Sequence, residues 1–286
     1  MIAYEGPNAE QIRYWNEVMG PQWAAIDTTL SAQIRPHGLR ALERLALALG
    51  ERVIDIGCGG GETTAEIARR VGPGGRAVGI DISEPLAARA RTSTAEFGHA
   101  EIRIADAQIT SFEPQAFDAL FSRFGVMFFA NPEAAFSNLL SALRPGGRMA
   151  FVCWRDLSEN PWMVLPAMAV AKHLPIKRPE PNAPGPFAFA DCERVRGILE
   201  RAGFVNVNRE KVDEPMQIAA GESLDGAVAL LMRIGLAGAA LRDAKAGPEL
   251  VDAVRVSIRE AIAPFENGAG VVIPSASWVV TAERRE

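Results

Sequence analysis

The chain has 286 residues, 48% of them hydrophobic and 23% charged, and 30 Lys and Arg against 35 Asp and Glu give a net charge of −5. A chain of this size can bury a core without disulfides or a structural metal. An acidic balance argues against a nucleic-acid partner, because binding a polyanion needs a basic surface that displaces counterions. We therefore expect an ordinary globular protein.

Cysteine usage and hydropathy suggest a compartment. Cys58, Cys153 and Cys192 form neither a C-x-x-C pair nor a disulfide framework, which is typical of a reducing environment. The first residues lack a basic stretch followed by an apolar run, and Arg233 interrupts the apolar stretch 227–241. We expect a cytoplasmic protein with no signal peptide, membrane span or metal site, since no ligand spacing of His and Cys is present.

Residues 1–48 are patterned as helices and carry Tyr14, Trp15 and Trp23, so we interpret them as a helical cap. Beyond them, in residues 49–155, short apolar runs alternate with helical patterns. This rhythm is typical of βαβ units and of a parallel sheet. The strands are predicted at residues 52–56, 77–81, 102–106, 117–122 and 149–154.

Three helices are predicted between these strands, at residues 62–71, 84–97 and 132–143. Asn131 is the expected N-cap of the third, with Pro132 at its first position. Two Pro-Gly-Gly-Arg turns, at 73–76 and 145–148, are expected to end a helix and to allow positive φ before the next strand.

The remaining chain is predicted to complete one domain. Residues 156–190 are rich in proline, include Trp162, and are interpreted as a cap insertion. Residues 191–286 return to the core. Their predicted elements are a helix at 191–202, strands at 204–212 and 276–282, and two helices between about 222 and 264, within a helical insertion of about 214–270.

A glycine-rich turn follows the first predicted strand, where residues 53–62 read VIDIGCGGGE. Glycines let the backbone approach a ligand closely, and the following helix N-terminus offers N–H groups to an anionic part of it. A tight turn without a ligand would show the same pattern. We interpret Cys58 as a small residue in a backbone-contact loop and not as a nucleophile.

The next three strands each end on a polar residue, namely Asp81, Asp106 and Ser122. The carboxyl ends of parallel strands border the ligand crevice of an open sheet. There, Asp81 could accept both hydroxyls of a ribose, with Ile82 against the adenine face. Asp106 and Ala107 could meet an adenine amino group.

Over about residues 50–155, the strand, the Gly-x-Gly-x-Gly turn and the acidic end of the second strand resemble the class I S-adenosylmethionine-dependent methyltransferases. Residues 122–129 and 143–148 are most similar to the ubiquinone/menaquinone-biosynthesis type, whose relatives have varied small-molecule acceptors. The resemblance implies a Rossmann-like, doubly wound α/β fold with a seven-stranded, mostly parallel sheet and helical cap segments. It also implies S-adenosylmethionine as cofactor and S-adenosylhomocysteine as product.

The resemblance further implies which residues hold the cofactor. One set would hold the methionine part through backbone contacts, with Asp55 organising the loop, and others would hold the adenosine or lie beneath the sulfonium. In chain order these residues are Asp55, Gly57, Cys58, Gly59, Gly61, Asp81, Ile82, Asp106, Ala107, Ser122, Arg123 and Phe124.

The acceptor side is less determined, and neither the acceptor atom nor the oligomeric state, with a homodimer among the options, follows from the sequence. Arg123 and Arg155 follow the fourth and fifth strands, where a guanidinium could hold an acceptor carboxylate or enolate. Tryptophans could line an aromatic acceptor pocket, although they more often belong to a core. These are Trp15, Trp23, Trp154 and Trp162. The candidate bases are Tyr14, His37, His99 and His173.

Three alternatives stay open. In a nicotinamide- or flavin-dependent oxidoreductase the sixth position from Gly57 would be glycine, whereas it is Glu62. A protein that binds S-adenosylmethionine without catalysis would carry the same turn. A nucleic-acid methyltransferase is disfavoured, because residues 131–133 lack the second proline and aromatic that grip an extruded base, and no Pro-Cys pair is present.

Overall fold

A computed structural model describes residues 2–177, 180 and 182–286 of the chain. Residue 1 of the predicted N-terminal cap and residues 178, 179 and 181 of the predicted cap insertion lie outside the described residues. The alternating strands and helices predicted for the core are present. They form one sheet that is flanked by helices. The strand order reverses between the first and the fourth strand of the chain, which are neighbours in the sheet.

The sheet has the order β3-β2-β1-β4-β5-β8-β6, with the two-residue β7 beside β8. Neighbours from β3 to β5 are parallel, whereas β8 runs antiparallel to both β5 and β6. The predicted doubly wound, mostly parallel sheet is therefore confirmed. Its strands are β1 (Arg52–Ile56), β2 (Arg76–Asp81), β3 (Ala100–Ile104), β4 (Phe117–Arg123), β5 (Leu143–Trp154), β6 (Phe204–Ile218), β7 (Glu266–Asn267) and β8 (Gly270–Arg284).

The helices include two in the N-terminal cap, joined by a π-helical turn at Tyr14–Val18. Asn131 caps α5 as predicted, accepting a hydrogen bond from the Ala134 N–H. The helices are α1 (Ala9–Arg13), α2 (Met19–Leu45), α3 (Glu62–Val71), α4 (Glu84–Ser93), α5 (Pro132–Ala142), α6 (Pro161–Ala171), α7 (Cys192–Arg201), α8 (Leu224–Leu231), α9 (Gly235–Asp243) and α10 (Pro248–Ile262).

Two predicted elements end early. β3 stops at Ile104 because Asp106 starts a turn, in which its carboxylate accepts the Gln108 N–H and its carbonyl accepts the Thr110 N–H. α4 stops at Ser93 and not at residue 97. There Thr94 closes the helix, its hydroxyl donating to the Ala90 carbonyl at 2.8 Å, and the chain turns.

The antiparallel strands β6 and β8 extend beyond the predicted ranges 204–212 and 276–282 and include Pro215 and Pro274. The two prolines lie directly opposite each other, so the missing N–H groups coincide at one step of the ladder. Proline is tolerated here since β6 is an edge strand. The insertion before β8 contains three helices, α8 to α10, where two were predicted.

The two Pro-Gly-Gly-Arg turns differ from each other and from the prediction. In the first, the positive φ of 66° belongs to Gly72, one residue before the motif. In the second, Gly146 has φ 68°, and the turn lies within β5, whose pairing with β4 begins at Leu143. The two copies of the Pro-Gly-Gly-Arg motif therefore connect a helix to a strand with different backbone conformations.

The cap helices pack on the sheet and on one another. α2 contacts β4, β5, β6 and β8, and α6 packs against α9 and α10. Within the described residues, no single helix is long and apolar enough to cross a membrane; α8 and α9 reach that length only as a pair bent by 60°. Beneath the caps, the core contains fully buried side chains of Phe121, Phe136, Phe151 and Phe189.

Candidate cofactor and active site

A cavity lies at the carboxyl ends of β1, β2 and β4, covered by α2. This is the topological switch point of the sheet. β1 has β2 as its neighbour on one side and β4 on the other, so the connections from β1 run in opposite directions across the sheet. The sheet and its loops supply one wall of the cavity. The predicted cofactor residues on this wall are Gly57, Cys58, Gly59, Asp81, Ile82, Asp106, Ala107, Arg123 and Phe124.

Three predicted cofactor residues lie behind the wall. Asp55 is buried in β1, where its Oδ2 accepts hydrogen bonds from the hydroxyls of Thr63 at 2.6 Å and Thr64 at 2.7 Å. Burial raises the pKa of this carboxyl group to about 6. Ser122 donates to the Ile56 carbonyl at 2.8 Å, and Gly61 packs against α4. None of these three residues lines the cavity, and their contacts support the glycine loop from beneath.

The three predicted glycines of the loop all have positive φ but differ in what they face. A Cβ on Gly57 would lie 2.8 Å from the Gly125 Cα, and one on Gly61 would lie 2.7 Å from the Ala90 Cα. A Cβ on Gly59 would meet no atom within 4 Å. Gly57 and Gly61 therefore allow close backbone packing, whereas Gly59 leaves open space where a ligand would lie.

Three N–H groups of this loop are bonded within the protein. Gly57 and Cys58 both donate to the Ile80 carbonyl, at 2.8 and 3.1 Å, and Gly59 donates to Asp81 Oδ2 at 2.8 Å. These three residues therefore have no free N–H group for an anionic ligand. The polar backbone groups that they can offer are carbonyl oxygens, which suit a cation.

Two carboxylates line the other end of the cavity. Asp81 Oδ1 accepts the Ser83 N–H at 2.8 Å and its Oδ2 accepts the Gly59 N–H, so each oxygen keeps one lone pair. Burial raises the pKa of Asp81. Asp106 Oδ1 accepts from Asn8 Nδ2 at 2.8 Å. Asp106 Oδ2 is buried and has no hydrogen-bond partner in the described part of the chain.

The unpartnered oxygen of Asp106 tests whether the cavity fits an adenosyl group. A buried polar atom is almost always hydrogen-bonded, so an orphaned acceptor on a cavity-lining residue indicates a missing donor. The exocyclic amine of adenine is such a donor. Together with the open side of Gly59 and the carboxylate of Asp81, this residue gives the cavity the features that the cofactor requires.

Arg123 lines the cavity, but its charge is already paired. Its guanidinium lies 2.6 Å from Glu62 Oε2 and donates to Ser31 Oγ at 3.1 Å, and the side chain is only 8% exposed. The expectation that Arg123 holds an acceptor carboxylate is therefore not supported by its contacts. Phe124, next in the chain, has φ 60° and stacks on Trp154 with ring centroids 4.0 Å apart. A bulky residue rarely adopts this φ.

Of the five predicted aromatic residues on the acceptor side, four border the cavity and Tyr14 does not. Trp15, Trp23, Trp154 and Trp162 all line it. Trp15 contacts Trp23 and Phe128 edge to face, with 5.3 Å between ring centroids in each pair. Tyr14 packs on Trp15 but does not line the cavity.

Arg155 and His173 lie away from the cavity, contrary to their predicted place on the substrate side. Arg155, which directly follows β5, pairs with Glu159 and, at 2.5 Å, with Asp213 of β6. His173 follows α6, and its Nε2 lies 2.8 Å from the Ser257 hydroxyl of α10. Both residues join structural elements to each other.

The other two histidines are also structural. His37 is buried, with Nδ1 2.8 Å from Ser277 Oγ and Nε2 2.8 Å from Ser275 Oγ. The Ser275 hydroxyl donates to the Glu214 carbonyl, so Nε2 carries the proton and Nδ1 accepts from Ser277. Burial lowers the pKa of His37 to about 4. His99 Nε2 lies 2.9 Å from the Ala68 carbonyl.

Several lining residues were not predicted, and nine of them lie on α2 or follow β4. On α2, spacings of four and three residues place Trp23, Asp27, Leu30 and Ile34 on one face, a helical period that the sequence shows. The position of Asn8, which bridges Asp106 and the Ala130 N–H, had no signal in the sequence. The unpredicted lining residues include Asn8, Asp27, Leu30, Gln33, Met127 and Phe128.

Comparison with known proteins identifies the class. A family model described as a methyltransferase domain matches residues 53–147. Nocamycin O-methyltransferase of Saccharothrix syringae is 28% identical over 70% of this chain and 75% of its own length. Demethylmenaquinone methyltransferase of Staphylococcus aureus is 25% identical over 70% of this chain and 87% of its own.

The fold is also found among solved structures. Haemonchus contortus phosphoethanolamine N-methyltransferase 2, in complex with S-adenosyl-L-methionine, superposes with a TM-score of 0.52 at 18% identity, over 88% of this chain and 53% of that one. Fold, cavity and domain match define a methyltransferase. Residues 53–147 are a methyltransferase domain, and the chain is an S-adenosylmethionine-dependent methyltransferase with S-adenosylmethionine as its cofactor. An oxidoreductase, and a binding protein without catalysis, are not favoured.

Proposed function

We propose that this enzyme transfers the methyl group of S-adenosylmethionine to a small, flat and largely apolar acceptor. The observation that carries the proposal is that one cavity contains both the glycine loop with its acidic neighbours and a chamber of aromatic side chains. Relatives named for nocamycin and demethylmenaquinone methylation support an acceptor of small-molecule size.

The adenosyl group would be held by the sheet edge. Asp106 Oδ2 is the acceptor for an adenine amine, Ile82 is placed for the adenine face, and Asp81 has lone pairs left for ribose hydroxyls. Gly57, Cys58 and Gly59 would border the methionine part. Asp55, Gly61 and Ser122 would shape the glycine loop. Arg123 and Phe124 would border the sulfonium end of the cofactor.

The cavity favours a cationic ligand over an anionic one. Its lining includes three carboxylates, Asp27, Asp81 and Asp106, and one guanidinium, that of Arg123, within the described residues. The guanidinium is paired with Glu62 at 2.6 Å, whereas Asp27 has only Arg89 at 3.4 Å and, within the described residues, Asp81 and Asp106 have no ion-pair partner. This balance supports a sulfonium cofactor and argues against a nucleic-acid acceptor.

The acceptor would lie among the aromatic side chains from both caps. Trp15 and Trp23 come from the N-terminal cap, Trp162 from the predicted insertion, and Trp154 from the end of β5. Apolar walls would exclude water and hold a planar molecule by stacking. We accordingly propose that residues 1–48 and 156–190 act as caps over the core of 49–155 within a single domain of 1–286.

Bound S-adenosylmethionine supplies a methyl group that is already activated on sulfur, so the protein need only align an attacking atom with it. Correct orientation alone can contribute about 7 to 11 kcal/mol. The rigid stack of Phe124 on Trp154 would fix the acceptor plane. An acceptor whose proton is lost easily, such as an enol or a quinol, requires no strong base.

Calorimetric titration with S-adenosylhomocysteine tests the cofactor site. We expect wild-type protein to bind and the Asp81→Ala variant to lose at least about tenfold in affinity, since a charge-assisted hydrogen bond is worth about 1.5–3 kcal/mol. Equal affinity in the variant would contradict the ribose assignment. A screen of phenols, quinols, amines and carboxylates for S-adenosylhomocysteine release then tests the acceptor class, and turnover confined to polar amines would contradict it.

We further propose a cytoplasmic enzyme. Cys58 and Cys153 are buried free thiols and Cys192 is also unpaired, which is compatible with a reducing compartment. Localisation of the tagged protein by fractionation tests this proposal. A homodimer is compatible with it as well, and light scattering measures that state.

A further inference from the structure

Asp27, on the covering helix α2, lies directly against the glycine loop. A Cβ on Gly60 would come within 2.0 Å of Asp27 Oδ2, so the carboxylate occupies the space that a side chain at position 60 would need. The side chain of Asp27 is 14% exposed, and the residue lines the cavity. A carboxylate from α2 thus lies over the glycine loop and borders the same cavity.

The carboxylate of Asp27 is held only loosely by the protein. Arg89 Nε lies 3.4 Å from its Oδ2, and Ser31 Oγ lies 3.4 Å from its Oδ1, both near the limit of a hydrogen bond. Arg89 makes its shorter contact, 2.7 Å, with the Thr28 hydroxyl. Burial, with a smaller effect of Glu62, raises the pKa of Asp27 against the opposing effect of Arg89 and Arg123. Its negative charge is therefore only partly compensated.

The loop beneath Asp27 is suited to a cation as well. The N–H groups of Gly57, Cys58 and Gly59 are bonded to the Ile80 carbonyl and to Asp81, so this part of the loop offers carbonyl oxygens. The nearby guanidinium of Arg123 is occupied by Glu62. A cationic group lying between the loop and α2 would meet acceptors on both sides.

We propose that Asp27 binds the α-ammonium group of the methionyl part of the cofactor, clamping it between α2 and the glycine loop. This inference rests on the proposed function, in which the methionine part lies at Gly57 to Gly59. It adds a charged partner from the cap to a site otherwise built from the sheet. Asp27 would then favour ligands that carry the methionyl amino-acid part over ligands that lack it.

The test compares two ligands in the Asp27→Asn variant by calorimetry. S-adenosylhomocysteine carries the ammonium group, whereas 5′-methylthioadenosine has the same adenosine thioether without the amino-acid part. We expect the variant to bind S-adenosylhomocysteine about tenfold or more weakly and 5′-methylthioadenosine with unchanged affinity, because only the first ligand loses a charge-assisted hydrogen bond. The Asp27→Glu variant should recover part of the loss.

Controls separate this inference from the proposed function. Asp81→Asn should weaken both ligands, since both contain ribose, and Asp252→Asn, on the exposed face of α10, should weaken neither. Failure of the wild type to bind either ligand would overturn the proposed function. Wild-type binding with equal losses for both ligands in Asp27→Asn, or with no loss, would overturn only the role of Asp27. Unchanged binding with a lower kcat and a shifted pH profile would make Asp27 a base and overturn it too.

Discussion

At the scale of single residues, the cavity depends on side chains whose polar groups are divided between the protein and a ligand. One carboxylate oxygen of Asp106 accepts a hydrogen bond from Asn8 and the other has no partner. Each carboxylate oxygen of Asp81 accepts one backbone N–H and keeps one lone pair. Arg123 and Arg155, in contrast, are fully committed to protein carboxylates. Residue type and strand position were enough to predict that Asp81 and Asp106 border the cavity. They could not predict the partners of Arg123 and Arg155, because ion pairs formed across 61 or 58 positions leave no trace in local sequence.

The Asp106→Asn variant tests the adenine contact at this scale. The amide can keep its bond to Asn8 or to the backbone, but its NH₂ group would face the adenine amine as a second donor. We expect S-adenosylhomocysteine affinity to fall about tenfold while melting temperature changes little. An inosine analogue of the ligand, which has an oxygen at that position, should bind the variant better than the wild type. No change in this preference would contradict the contact.

At the scale of elements, the N-terminal segment is tied to the adenosine end of the sheet. Asn16 donates to the Ile82 carbonyl at 2.8 Å and accepts the Glu84 N–H at 2.9 Å, and the Ser83 hydroxyl donates to the Trp15 carbonyl at 2.8 Å. Strand and helix periods predicted nearly every core element. They could not predict these ties, since a polar side chain that binds distant backbone looks like any exposed asparagine.

We expect the Asn16→Ala variant to loosen this segment without unfolding the protein. Hydrogen exchange should speed up over residues 9–18, and S-adenosylhomocysteine should bind more weakly and restore part of the protection. The matched control is Asn206→Ala, because Asn206 bonds to Glu283 at the far edge of the sheet. Equal exchange in the Asn16 variant and the control would show that the ties contribute nothing.

At the scale of the whole molecule, two buried titratable groups lie behind different parts of the cavity wall, and neither lines the cavity itself. Asp55 supports the glycine loop, and its raised pKa of about 6 makes its contribution to stability largest in acid and lost as pH rises through 6. His37 lies behind Phe124 and Trp154, and its lowered pKa of about 4 makes its contribution largest above its ordinary pKa of 6.5 and lost as pH falls through 4.

We predict that these two effects oppose each other between about pH 4 and 6. The Asp55→Asn variant should lose stability on acidification relative to the wild type, and His37→Gln should gain it, each with a slope of up to about 1.4 kcal/mol per pH unit. Chemical denaturation at half-unit steps of pH measures both slopes. Parallel curves for the wild type and either variant would contradict the corresponding assignment.

His37 lies beside the aromatic side chains of the proposed acceptor chamber, and Asp55 lies under the glycine loop. Mild acid therefore changes the contributions of these two parts of the site to folding stability in opposite directions. A melting curve that hardly moves in weak acid would then conceal two changes that cancel, a gain in stability from Asp55 and a loss from His37.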